Sequence, residues 1–337
     1  MGRAKPSINA PPLSERSPSR LGHARIMSKL PASLHIGTRG SPLALWQAEH
    51  VRARLSETHG AESGAASLEV ITTSGDRIQD KPLADFGGKG LFTKEIDEAL
   101  LRGDIALAVH SMKDLPTRLP DGLRLAAVLP RADVRDAFLS PVAPSLMALP
   151  AGAVVGTSSL RRAAQVKRLR PDLRVVDFRG NVETRLRKLN EGVADATLLA
   201  KAGLDRLGLT ETIRSVLSPE EMLPAVAQGA IGLVARDRDA HTNALLAPLN
   251  DVATATAVTC ERSFLAELDG SCRTPIAGLA EIVCSRIHFR GLILSPGGAE
   301  WHDVEMTGQA EEAEALGRNA GEDVAGRAGP GFLATVM

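Results

Sequence analysis

From Leu34 onward, short apolar runs alternate with stretches of helical periodicity, and this alternation leaves few architectures open. Leu34-His35-Ile36, Leu68 to Ile71, Ile105 to Val109, Val154-Val155, Leu173 to Val176 and Ala196 to Leu199 read as strands. Leu43 to Leu55, Leu91 to Leu101, Leu160 to Leu169 and Val182 to Leu189 read as helices. Strands that alternate with helices predict βαβ units and mainly parallel sheets, with ligands bound in crevices beyond the carboxyl ends of the strands. A length of 337 residues fits two or three domains, each large enough to bury its own core. No apolar run approaches the roughly 18 to 20 residues of a membrane span, so no membrane role is expected.

Charge and cysteine usage narrow the partners. The 40 basic and 40 acidic residues cancel, so any anion binding must come from local clustering and not from a global field. Seven Phe, two Trp and no Tyr offer few stacking platforms, and no nucleic-acid partner is expected. Three cysteines without a C-x-x-C pair argue against a disulfide framework and a zinc site. They place the chain in a reducing compartment, the cytoplasm, with no metal expected. Cys260 and Cys284 lie in apolar settings and read as packing residues. Cys272 lies instead in the polar stretch Gly270-Ser271-Cys272-Arg273-Thr274-Pro275, where Arg273 would lower a thiol pKa, and it reads either as packing or as an attachment point. Residues 1–30, rich in Pro, Ser and Arg, read as a disordered extension. A transit peptide and a functional start at Met27 both remain open. The carboxyl end, with Gly329-Pro330-Gly331, shows no clear final helix.

The strand-to-helix loops share one chemistry. Gly37-Thr38-Arg39-Gly40-Ser41-Pro42 offers Ser41 as N-cap and Pro42 as the first helical residue. Gly156-Thr157-Ser158-Ser159-Leu160-Arg161-Arg162 brings three hydroxyls and two guanidiniums to a helix start, and Asp177-Phe178-Arg179-Gly180-Asn181 does the same with Asn181 as cap and Arg185 one turn in. Each segment alone reads more readily as a capped helix with a solvated charge than as a ligand site. Three together favour a ligand bearing several carboxylates or phosphates. A nucleotide is disfavoured, because Phe86-Gly87-Gly88-Lys89-Gly90 lacks P-loop spacing. His110-Ser111-Met112-Lys113-Asp114 follows another strand. Asp114 reads either as half of a surface ion pair or as a cleft carboxylate that stabilises a developing cation, and His110 as either a packed histidine or a catalyst.

These segments resemble the porphobilinogen deaminase family. The resemblance is carried in order by Arg39 to Ala48, Gly87 to Phe92, His110 to Asp114, Gly156 to Arg162, Arg179-Gly180-Asn181-Val182 with Thr184-Arg185-Leu186, and Gly270-Ser271-Cys272. It runs from about Leu34 to at least Ile276 and weakens over the last part of the chain.

The resemblance implies an α/β fold with three domains: two periplasmic-binding-protein-like lobes with mainly parallel sheets, plus a smaller α+β carboxyl-terminal domain. Domain 1 would span 31–130 and 230–248, domain 2 131–229, and domain 3, carrying the cofactor cysteine, 249–337. It also implies a chemistry. Cys272 would bear a dipyrromethane cofactor through a thioether. Porphobilinogen would lose ammonia to give an electrophilic azafulvene, which joins the growing chain over four rounds before water releases hydroxymethylbilane. By the same resemblance Asp114 is the catalytic carboxylate. Lys89, Ser111, Lys113, Asp114, Thr157, Ser158, Ser159, Arg161, Arg162, Arg179 and Gly180 would hold the cofactor, and Arg39, Ser41, Gln47, Arg179, Arg185 and Gln228 would bind substrate. The basic loops suit this ligand, since a six-ring intermediate presents on the order of twelve carboxylates for bidentate Arg contacts. The implied partner is the small-molecule substrate alone, on a monomer. A non-catalytic binder of a polycarboxylate is the rival reading.

Overall fold

In the computed structural model, which describes residues 1–2, 34–60, 66–77, 92–270 and 274–336, each expected strand and helix forms close to where the periodicity puts it. Nearly all of the expected amino-terminal extension lies outside the described residues. In chain order the elements are β1 (Leu34–Thr38), α1 (Pro42–His59), β2 (Ala66–Val70), the short α2 (Ser74–Arg77), α3 (Lys94–Arg102), β3 (Leu107–Ser111) and β4 (Leu123–Val128). There follow β5 (Asp136–Leu139), β6 (Val154–Gly156), α4 (Leu160–Leu169), β7 (Arg174–Val176), α5 (Val182–Asn190), β8 (Ala196–Ala200), α6 (Lys201–Arg206) and β9 (Ser215–Val216). Then come β10 (Ile231–Arg236), α7 (Ala240–Leu246), α8 (Val252–Glu267), β11 (Ile276–Val283), β12 (Arg286–Leu294), β13 (Trp301–Gln309) and α9 (Ala313–Val336).

Two sheets share one plan. The first has the order β2-β1-β3-β10-β4 and the second β7-β6-β8-β5-β9. In the first, β1 pairs in parallel with β2 and β3, while β10 runs antiparallel between β3 and β4. In the second, β6 pairs in parallel with β7 and β8, while β5 runs antiparallel between β8 and β9. The odd strand of each sheet lies directly across a crossover from the other: β4 leads into β5 and β9 into β10. This reciprocal exchange gives two periplasmic-binding-protein-like lobes joined by two adjacent crossings. The crossings touch, with the Ala132 N–H donating to the Gly229 carbonyl at 3.2 Å. Gly229 has a φ of +89°, and a Cβ there would lie 2.6 Å from the Ala132 oxygen, so only glycine fits.

Strand alternation divides the core of the first lobe. Leu107 and Val109 pack toward Ala48, Val51 and Leu55 of α1, whereas Ala108 packs toward Ile96 and Leu100 of α3. The third unit is an antiparallel sheet, β11-β12-β13, covered by α8 and α9. It docks on the second lobe through Ala164 and Leu223, which meet Leu279 and Leu292.

Two expectations are corrected. The carboxyl end does form a helix, α9, with a break at Gly329 after which Pro330 starts the last turns. Its buried stripe includes Gly317, Ala320 and Gly321, which let it approach α8 so closely that a Cβ at 317 would lie 2.0 Å from the Cys260 oxygen. A helix packed through small residues carries little of the large-residue periodicity that marks a helix in sequence. Cys284 is exposed rather than packed, because Cys284 and Ser285, with φ of 48° and 65°, form the tight β11–β12 turn. Cys260 is fully buried, as expected, and burial beside Glu261 pushes its thiol up to about 12.

Candidate active site

The strand-end loops fold as their caps dictate. Ser41 accepts from the Ala44 N–H (3.4 Å), Ser159 from that of Arg162 (3.4 Å), and Asn181 from that of Thr184 (2.9 Å). Thr157 Oγ1 accepts from the Ser159 N–H (3.2 Å) and Ser158 Oγ from the Phe178 N–H (3.1 Å). Ser41, Thr157, Ser158 and Ser159 therefore use their oxygens as acceptors within the loops, which leaves each hydroxyl proton for an anion. Gly180 closes the third loop, and its carbonyl accepts from Arg185 Nε at 2.9 Å.

Arg161 and Arg162 do not stand free in the cleft. Both converge on Asp136, with Nη2 of each donating at 2.8 and 2.7 Å, and Gln228 Nε2 donates to the same carboxylate at 3.0 Å. Asp136 is fully buried, which opposes its charge, yet the two guanidiniums outweigh that and hold it well below the usual carboxylate range. The Nη1 groups donate to the Leu223 and Leu198 carbonyls (2.8 and 2.9 Å), while both Nε atoms are buried without a hydrogen-bond partner among the described residues. Gln228 also donates to the Val134 carbonyl (2.7 Å), so this network ties α4 to both crossings. Asp136 was not legible in the sequence because nothing in the short run Asp136 to Leu139 marks it as a strand.

On the first lobe a pocket with about 430 Å³ of empty volume lies at the ends of β1 and β3. Arg39, Ser41, Gln47, Phe92, His110, Ser111 and Asp114 are among its lining residues. Arg39 stacks over Phe92, 4.3 Å from the ring centroid, and Asp76 engages its Nε (3.2 Å) and its Nη2. Asp76 accepts from Thr73 as well (2.7 Å); burial opposes its charge, but Arg39 and Thr73 lower its pKa overall. It lies in Thr72-Thr73-Ser74-Gly75-Asp76, a hydroxyl-rich strand-end loop like those already noted, and that likeness was the signal available for it. Gln47 Nε2 donates to Ser111 Oγ at 2.8 Å. Asp114 ends the short 3₁₀ turn after β3, partly buried and without a hydrogen bond or ion pair among the described residues.

The two lobes meet electrostatically around Asp114. Lys113 is lowered to about 8, chiefly by desolvation; Asp114 and Asp136 pull its pKa up, and Arg162 and Arg161 push it down. Arg185 is lowered to about 10 by burial and by Arg162, with Asp114 and Asp177 opposing and Arg179 adding to the fall. Lys113, Arg161, Arg162, Arg179 and Arg185 thus share one field with fewer acids, which suits an anion that carries several charges. From α8, Arg262 donates to the Leu115, Pro116 and Thr117 carbonyls (3.2, 2.6 and 2.9 Å) and so fixes the chain just after Asp114. No local signal marks a helical Arg as such a clamp. Lys89 and Cys272 lie outside the described residues.

Fold and site together define a two-lobed α/β protein whose basic cleft carries a carboxylate, Asp114, that has no partner among the described residues. The family model for the dipyrromethane cofactor binding domain of porphobilinogen deaminase matches residues 34–244, and that for its carboxyl-terminal domain matches residues 255–326. Porphobilinogen deaminase of Nitrobacter winogradskyi is 57% identical over 298 residues, covering 88% of this chain and 94% of its own. That of Paracoccus denitrificans is 54% identical (89% and 96% covered), and the chloroplastic one of Pisum sativum is 56% identical (90% and 84%). The chain belongs to the porphobilinogen deaminase family. A periplasmic substrate-binding protein of Coxiella burnetii, 12% identical with a TM-score of 0.40, covers 68% of this chain and 96% of its own, too slight a likeness to add to the strand order.

Proposed function

We propose that this protein is a hydroxymethylbilane synthase, which condenses four porphobilinogen molecules head to tail with loss of ammonia and releases the linear product by hydrolysis, in tetrapyrrole biosynthesis. The observation that carries the reading is Asp114, without a partner among the described residues, facing Lys113 and Arg185 at the meeting of two lobes, in a chain of this family. The sheets support a division into domain 1 (31–130 and 230–248), domain 2 (131–229) and domain 3 (249–337). We place the protein in the cytoplasm as a monomer; no helix among the described residues is long and apolar enough to cross a membrane.

The donor set fits a dipyrromethane held through Cys272. Lys113, the Nε groups of Arg161 and Arg162, which have no partner among the described residues, and the hydroxyls of Thr157, Ser158 and Ser159 are all donors, matched to its carboxylates. When bound, the group supplies the nucleophilic pyrrole carbon to which porphobilinogen is joined. Ser111, Arg179 and Gly180 complete that side, with Lys89 from the segment outside the described residues. Arg39, Ser41 and Gln47 orient the incoming substrate, while Arg179 and Arg185 hold its carboxylates from the second lobe. Gln228 acts through Asp136. Asp114 accepts pyrrole N–H groups and faces the positive charge that develops as ammonia leaves. At about 4 Å and an effective dielectric of about 20, such an attraction is worth ~4 kcal/mol, which corresponds to about a thousandfold in rate.

Incubating the protein with porphobilinogen and measuring substrate, ammonia and product tests this. One ammonia should appear per porphobilinogen consumed, and one linear tetrapyrrole per four. Carboxylate binding without consumption would instead make the protein a polycarboxylate binder.

A further inference from the structure

His110 is only 6% exposed and lines the substrate pocket, yet neither ring nitrogen has a hydrogen-bond partner among the described residues; Nε2 is fully enclosed. Buried polar atoms are nearly always paired, and leaving one unpaired costs about 1–3 kcal/mol. The imidazole cannot easily turn away to find water. His110 is locked into β3 opposite Gly232 of β10, and the strand is buried at Leu107, Ala108 and Val109. The group beside it is similarly incomplete. Asp76 takes Nε and Nη2 of Arg39, while Nη1 has no partner among the described residues.

Granting the substrate reading above, we propose that His110 is a substrate-recognition residue, whose ring N–H donates to the same porphobilinogen carboxylate that meets Arg39 Nη1. The ligand chemistry is set by the neighbour. Arg39 repels a substrate ammonium and attracts a carboxylate, and its charge, after burial itself, lowers the His110 pKa to about 4. The imidazole is therefore neutral at working pH and offers one N–H donor without a second cation to desolvate. A neutral directional donor beside a guanidinium fixes the orientation of the carboxylate, which a second point charge would not. The residue pairs no acid among the described residues and is not among the donors to Asp136, so its contribution falls on substrate binding.

The test uses the primed enzyme as purified, comparing wild type with His110→Leu and His110→Gln. Intact mass reports the primer, thermal melting of substrate-free protein reports the fold, and steady-state kinetics separate KM from kcat. The expected result is a wild-type primer mass and an unlowered melting temperature in His110→Leu. Its KM for porphobilinogen should rise roughly 10- to 100-fold, as for the loss of a bond to a charged group, with kcat little changed. His110→Gln, which returns an N–H donor, should recover most of that loss. If the leucine variant does not fold, His110→Phe, nearer in volume and shape, carries the same expectation. A KM within about twofold of wild type, or a rise that tracks a lower melting temperature and is not recovered by glutamine, overturns the assignment. Wild type that leaves porphobilinogen unconsumed defeats the substrate reading itself, and is distinguished because it appears without any substitution.

Discussion

Replacing Asp136 by Asn removes the one carboxylate on which Arg161, Arg162 and Gln228 converge. Arg161 and Arg162 are each 4% exposed, so their guanidiniums cannot swing to water when their counter-charge goes. Asn keeps one acceptor oxygen, but its amide then points N–H groups toward a second donor. Breaking a buried ion pair in this way costs about 3–5 kcal/mol. For the two lobes melting as one cooperative unit of roughly 200 residues, that is a fall of roughly 6–20 °C in melting temperature. The pH dependence gives a second reading. The folded-state pKa of Asp136 is depressed, so its stabilisation is fully present above the unfolded value near ~3.9 and is lost as pH falls through the folded one. The gap between wild type and Asp136→Asn should be widest near neutrality and shrink below about pH 4. Scanning calorimetry from about pH 3 to 7 reads both effects. A neutral-pH loss below about 1 kcal/mol, or a gap that does not depend on pH, would refute the view that Asp136 neutralises this buried pair.

The cleft has further testable consequences. Arg39→Ala should keep the covalent primer, since Arg39 lines the substrate pocket, yet lose most turnover; normal turnover with primer in place would contradict its role. Asp114→Asn should leave melting nearly unchanged, because the carboxylate has no protein partner among the described residues, and lower kcat by about a thousandfold. Lys113, lowered to about 8, is charged below that pH and neutral above it. Productive binding of the polycarboxylate chain should therefore weaken as pH rises through about 8, and Lys113→Arg should carry the decline to higher pH; superimposable kcat/KM profiles would argue against it.

Much of this was legible in the sequence, and the remainder has physical causes. The strands at Leu34 and Leu107 and the helices capped by Ser41 and Asn181 showed because apolar period and cap chemistry agree there. The loops beyond those strands advertised anion binding through their hydroxyls and Arg residues. How those residues are used did not show. Arg161 and Arg162 read as open ligands for a polyanion, but each commits one end to Asp136, a residue that pairing across the fold brings from 25 and 26 positions away. Arg262 reaches the chain after Asp114 across a separation of 146 residues, which no local pattern encodes. Helix α9 was hidden by the small residues that let it pack against α8.

The central claim is that Cys272 carries a covalent primer of two pyrrole units on which this cleft elongates. The most direct test is the intact mass of the denatured protein beside that of Cys272→Ser. The account predicts wild type heavier than its sequence by two porphobilinogen units less two ammonia molecules, and no such increment in the serine variant. A wild-type mass equal to the bare chain, still so after incubation with porphobilinogen, or an increment that survives the loss of the thiol, would contradict it.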